Sequence, residues 1–257
     1  MADFQAQIEG LTGLSLTAST APTLDEVTQF LHDGVMDVTQ KCIRMNPQDA
    51  LLFTADSGEQ SSQNSYTVKG QIISVVREAG VSNDWRECRL IPQSLQSRVT
   101  DSTSLHYASK FNPAYTVLDN GKLNIFPTPG ADPNQFRVYY INNDAKRDSD
   151  ANTLAYGDSD IRFFPKEKVY LVVIYASIMS LNAIINDMGK ATDVDTEIIN
   201  DDPEMAQLEL AKNKERLTEY VSTYKQLLHQ YNGAFGLIQQ RRSPRRRQQT
   251  DETEVTT

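Results

Sequence analysis

The sequence predicts a mixed α+β chain, with N-terminal, central and C-terminal helices forming a bundle, a small antiparallel β lobe inserted between them, and an extended C-terminal arm. Three observations carry that expectation. Thr23 and Glu26 stand in the register of a capping box and open a run with one apolar helical face. The tetrad Asp119-Asn120-Gly121-Lys122 joins two short apolar runs, the strongest local hairpin signal in the chain. Val169 to Ile185 is 17 residues without a charge, which reads as a helix buried nearly all round.

In chain order, residues 1–22 are mixed polar and small, and read as an N-terminal arm. Residues 23–53 hold the first bundle helix. Val27, Leu31, Val35, Val38 and Cys42 share its apolar face, Asp33 and Asp37 lie off it, and Asn46-Pro47 ends it. Residues 54–142 form the β-rich insertion, opening on a polar loop over 54–65. Strands are expected around Ile72–Val76, Trp85–Ile91, Tyr115–Leu118, Leu123–Phe126 and Phe136–Ile141.

Residues 143–233 supply the remaining bundle helices. Pro165 suits a first helical position and Gly189 a stop. Asp202-Pro203-Glu204 opens a long helix whose Leu210, Leu217, Val221, Tyr224, Leu228, Tyr231 and Phe235 recur every three or four residues, ending near Gly233. Residues 234–257 form an Arg-rich arm.

The 257 residues are 39% hydrophobic and 23% charged, which excludes collagen-like, disulfide-framework and wholly disordered chains. The net charge of −9 is uneven. Residues 1–240 hold 20 Lys and Arg against 31 Asp and Glu, whereas 241–257 hold five Arg against three acids. So acidic a body is a poor general DNA binder, because phosphate contacts need clustered bases. Cys42 and Cys88 lack metal-ligand spacing and read as reduced and buried, with a disulfide between them as the alternative. No basic n-region and apolar h-region open the chain, so no secretory leader is expected. The 169–185 run is near spanning length, but its Tyr, Ser and Asn residues favour a buried core helix over a membrane span.

Catalytic signals are weak. No GxSxG, P-loop or GxGxxG occurs, and His32, His106 and His229 share no ligand spacing, so no enzyme, cofactor or metal is expected. The paired acids Asp148/Asp150 and Asp158/Asp160 lack the distal glutamate of a calcium loop and read as a solvated surface. The arginines Arg241, Arg242, Arg245, Arg246 and Arg247 leave three readings open: a solvated tail, an arm docking on an acidic partner, or a nucleic-acid contact.

Several segments together resemble the head-to-tail adaptor (neck, or connector) proteins of tailed bacteriophages, particularly virion proteins of marine cyanophages. They are MADFQAQIEGLTGLS, TLDEVTQFLHDGVMDVT, YASKFNPAYTVLDNGKLNIFPTPG with VYYIN after it, and FFPKEKVYLVVIYASIMSLNAII. The resemblance implies a non-enzymatic virion structural protein, made in the host cytoplasm and located in the neck. It implies a homo-oligomeric ring of about twelve copies. The ring would sit below the portal protein, meet a downstream neck or tail protein, let duplex DNA pass and touch no membrane.

On that reading Phe235, Leu237 and Ile238 with the five arginines are candidate portal contacts. Asp144, Asp148, Asp150, Asp158, Asp160, Asp193, Asp195, Glu197, Asp201 and Asp202 are candidate channel-lining acids, since a negative wall repels phosphate. Alternatives are another neck or tail-completion or terminator ring, an enzyme with an unrecognised site, and a DNA-binding accessory acting through the arginines.

Overall fold

The computed structural model describes residues 2–68, 70–118, 121–142, 145–147, 152–194 and 203–240; side chains of 189–194, 203–210 and 237–240 lie outside the description. Its architecture is mixed α+β.

The expected N-terminal arm instead opens with a helix, α1 (Phe4–Thr12). Asp3 caps it by accepting from the Ala6 amide at 2.8 Å, and Gly13, at φ 70°, closes it with its N–H on the Glu9 carbonyl. Phe4 and Ile8, one turn apart, are fully buried, and α1 packs on the helix that begins at Val169. Phe4, Ile8 and Leu11 are too few to stand out as a face in a polar segment, and Leu11 is exposed, yet each buried side chain of the size of Phe4 or Ile8 contributes roughly 1.5–3 kcal/mol.

Helix α2 (Leu24–Met45) carries the expected capping box, and Val27, Leu31, Val35, Val38 and Cys42 are all buried. A Cβ at Gly34 would lie 3.1 Å from a Tyr175 ring carbon and 3.2 Å from Val172 Cγ1, so the missing side chain sets how closely the helices approach there. A 3₁₀ turn, Pro47–Phe53, follows. The polar stretch expected as a loop begins instead with β1 (Thr54–Asp56), an edge strand with only Ala55 buried.

The lobe continues with β2 (Gly70–Glu78), β3 (Trp85–Glu87), β4 (Arg89–Leu90), α3 (Gln96–Thr100), β5 (Ala114–Val117), β6 (Leu123–Phe126) and β7 (Phe136–Asn142). It forms two sheets rather than one antiparallel sheet. One is antiparallel, in the order β1-β7-β2-β3. The other is β4-β5-β6, in which β4 runs parallel to β5. The β5–β6 hairpin lies where the Asn-Gly signal put it, pairing Val117 with Leu123 and Leu118 N–H with the Lys122 carbonyl. Asp119 and Asn120 are outside the described residues. Gly121 sits at φ +77°, where a Cβ would meet the Val68 carbonyl oxygen at 2.5 Å.

Pro165 caps a 3₁₀ turn, Lys166–Lys168, and α4 (Val169–Val194) begins just after it. The helix passes through Gly189 instead of stopping there. By length and composition this segment could span a membrane. Here Val172, Ala176, Ser177, Ser180 and Leu181 are fully buried, and α4 packs on α1, α2 and α5 (Pro203–Gln240). Helix α5 likewise continues through Gly233 and Gly236 to Gln240. An interior glycine costs about 1 kcal/mol relative to alanine. Burial of Leu227, Tyr231 and Phe235 outweighs it.

One core joins α1, α2, α4 and α5 with Ala145, Leu154, Ile161 and Phe164. A second fills the lobe with Val75, Ile125, Phe136 and Val138, and a third holds Ile91, Val99, Ala108, Ala114 and Phe126.

Candidate functional site

Of the residues expected to grip a partner, Phe235, Leu237 and Ile238 lie on α5. Phe235, expected as a free anchor, is buried in its own chain. Its ring meets Tyr231 edge-on, with centroids 5.1 Å apart. Tyr231 donates its phenolic hydrogen to Asp37 Oδ2 on α2 and tilts against Tyr175 of α4 at 5.9 Å. Lys41 Nζ, 2.7 Å from the same Asp37 oxygen, lies over both rings, 4.5 Å from the Tyr231 centroid and 5.6 Å from that of Phe235. Burial and the bond to Asp37 hold the Tyr231 phenol well above the ordinary tyrosine range. Phe235 thus belongs to the seam between α5 and the bundle, and Asp37, off the apolar face in sequence, is the acceptor that orders it.

Leu237 and Ile238 lie on the last turn of α5, with side chains outside the description. Arg241, Arg242, Arg245, Arg246 and Arg247 fall outside the described residues.

Among the acids, Asp158 is half-buried and committed to its own chain. Its carboxylate accepts from the Ala155 amide at 2.7 Å and lies 3.4 Å from Arg147 Nη1, while its carbonyl receives the Phe4 amide at 2.8 Å. It anchors the start of α1 to the turn at Ala155–Asp158. Asp160 is half-buried two residues on, and Asp193 lies on the last turn of α4. Asp144, Asp148, Asp150, Asp195, Glu197, Asp201 and Asp202 are outside the described residues.

His32 Nε2 lies 2.8 Å from the Leu154 carbonyl oxygen, tying α2 to the same segment. Cys42 and Cys88 are free thiols buried in separate cores, so the disulfide alternative falls. Burial raises both, Cys88 to about 12. Among the described residues, no three His, Cys, Asp or Glu side chains are placed to hold a metal ion. A cleft of about 380 Å³ lies between the 14–21 segment, α4 and α5, with Asp187, Arg216 and Tyr220 in its wall.

Sequence reasoning missed the buried charges of the lobe. Arg77 donates to the carbonyls of Pro127, Glu78 and Thr128 and to Asn134, while buried Glu78 accepts from the amides of Asn83 and Gln135. Together they bind the 127–135 loop to β2.

Comparison of the chain with models of known protein families finds no match. Comparison with curated proteins finds none either.

Proposed function

We propose that this chain is a structural protein of a tailed-phage virion, a head-to-tail adaptor whose ring sits below the portal and extends the DNA channel toward the tail. The observation that carries the reading is the architecture. Helices from both ends of the chain pack together, a β lobe is inserted between α2 and α4, and the last helix leads into an Arg-rich segment. That plan accords with the resemblance of the four sequence segments to neck proteins. The net charge of −9 supports it too, because a ring of such chains repels the phosphates of passing DNA instead of trapping them.

On this reading the protein is not an enzyme and needs no cofactor. Its partners are further copies of itself, the portal and a downstream neck or tail protein. Its grip on the portal belongs to the Arg-rich segment beyond Gln240, where arginines pair with portal carboxylates. Phe235 is buried in the bundle, on the helix that precedes that segment.

The test is to mix the purified chain with portal particles of the same phage and weigh the complex by native mass spectrometry. The full chain is expected to bind at about one copy per portal subunit. A chain ending at Gln240 is expected to stay folded and lose docking. A chain ending at Gly233 also loses Phe235, so it is expected to be less stable as well. Undiminished docking by the Gln240 truncation removes the arm from the proposal. Failure of the full chain to bind portal, with binding to a neck or tail component instead, replaces the adaptor with a ring further down the channel.

A further inference from the structure

The cleft of about 380 Å³ opens where the segment after α1 meets the second half of α4 and the first half of α5. Its volume falls within the ~300–1,000 Å³ of small-ligand pockets. Each helix presents one face to it. On α5, Asn213 is followed by Arg216 and Tyr220 at spacings of three and four, and on α4 Ile184 is followed by Asp187 and Met188 within one turn. Packing holds the walls in place. Leu14 is buried in the bundle core, and Ile184 and Tyr220 pack against that core. The crossing segment is tied down as well: Gln5 Nε2 donates to the Leu16 carbonyl at 3.0 Å, and the Thr17 amide donates to Thr20 Oγ1 at 2.8 Å.

The polar groups that face this cleft are left open. Asp187 and Arg216 carry opposite charges, yet neither forms an ion pair with the other or with any group among the described residues, so more than 4 Å separates their charged atoms. The Asn213 amide and the Tyr220 hydroxyl likewise make no hydrogen bond among the described residues. Ser15 stands exposed between two buried leucines. Their amides are engaged, that of Leu14 by Thr12 Oγ1 at 3.3 Å and that of Leu16 by Glu9 Oε1 at 2.8 Å. The amide and carbonyl of Ser15 make no hydrogen bond among the described residues. Such a pair of open backbone groups is a place where a second chain can add its own.

A short peptide with free ends answers all of these groups at once. Its ammonium meets Asp187, its carboxylate pairs with the Arg216 guanidinium, and its amide exchanges bonds with the Ser15 backbone. Apolar side chains on it fall against Leu14, Ile184 and Met188. A free amino acid brings both charges but no amide for Ser15, and an inorganic anion leaves Asp187 unanswered. We propose that this cleft binds a zwitterionic peptide of two or three residues with apolar side chains. The site is independent of the virion reading.

Amide NMR of the full chain, titrated with leucyl-leucine to ~20 mM, tests it at affinities down to the millimolar range. The amides of Ser15 and of residues 213–220 are expected to shift and to saturate. Asp187→Asn and Arg216→Gln are each expected to weaken binding at least fivefold; both residues are exposed, and thermal melts check that the variants are folded. N-acetyl-leucyl-leucine, which lacks the ammonium, should bind more weakly and be indifferent to Asp187→Asn. Leucyl-leucinamide, which lacks the carboxylate, should be indifferent to Arg216→Gln. Shifts that do not saturate, shifts confined to other parts of the chain, variants that bind like the wild type, or free leucine binding as tightly as the dipeptide overturns the proposal. Portal capture is read separately and stands or falls without it.

Discussion

Tyr231 on α5 donates its hydroxyl hydrogen to Asp37 on α2, a residue 194 positions earlier in the chain. The bond joins the last helix to the first long one, and Lys41 closes the arrangement from the side. Replacing Tyr231 with Phe keeps the ring contacts and removes the bond. A hydrogen bond to a charged group contributes about 1.5–3 kcal/mol, and Asp37, partly exposed, can regain water, so the loss should lie near the lower figure. Urea unfolding would read it, and hydrogen exchange should rise in α5 before it rises in the lobe.

Gly121 and Gly10 make opposite predictions for one substitution. At Gly121 the backbone is left-handed and a Cβ would stand 2.5 Å from the Val68 carbonyl oxygen, whose own amide bonds to Gly121. Gly121→Ala should cost at least about 2 kcal/mol. Gly10 lies inside α1, where a Cβ would meet nothing within 4 Å, so Gly10→Ala should raise the thermal midpoint, by about 0.5–1 kcal/mol in stability. Thermal melts of both variants would check the pair.

Gly34 predicts the sensitivity of the helix crossing. Alanine there would press on Val172 and Tyr175 by a few tenths of an ångström, and leucine would force α2 and α4 apart. Overpacking of this kind costs about 1–3 kcal/mol, so Gly34→Leu should destabilise more than Gly34→Ala by urea titration.

Cys88 predicts a loss of stability at alkaline pH. Its thiol keeps a proton up to about 12 in the folded chain, against an ordinary value of 9.0. Between those values the folded state binds more protons than the unfolded one, so the contribution is whole below about pH 9 and lost as pH rises toward 12. Cys88→Ala should flatten the stability profile from pH 9 upward. A residual slope above pH 10 should remain, because Tyr66 and Tyr231 are raised in the same direction. Stability measured from pH 7 to 11 for both chains would show it.

The helices were legible where a long periodic face made the pattern redundant, as in Val27 through Cys42, and the hairpin where Asn120-Gly121 named its own turn. What escaped was short or non-local. Helix α1 buries two large apolar side chains, Phe4 and Ile8, β1 is three residues of weak pattern, and the parallel β4–β5 pair joins segments that no local turn connects. The reach of α4 and α5 past their glycines is set by packing rather than propensity. At the candidate site, Arg241–Arg247 stood out by composition, but the burial of Phe235 and the partnership of Asp37 with Tyr231 depend on how α5 lies across α2, which no spacing rule contains.

The lobe's insertion between α2 and α4 has a consequence for synthesis. More than a hundred residues separate Met45 from Val169. At about 5–20 residues per second, the apolar face of α2 leaves the ribosome roughly 6–25 s before the helix that covers it. During that interval Val27, Leu31, Val35 and Val38 lack their main covering, and closing the bundle must bridge a long loop. Nascent chains of this protein are therefore expected to engage trigger-type chaperones while the lobe is being made, and faster elongation through 54–142 should raise the yield of soluble protein.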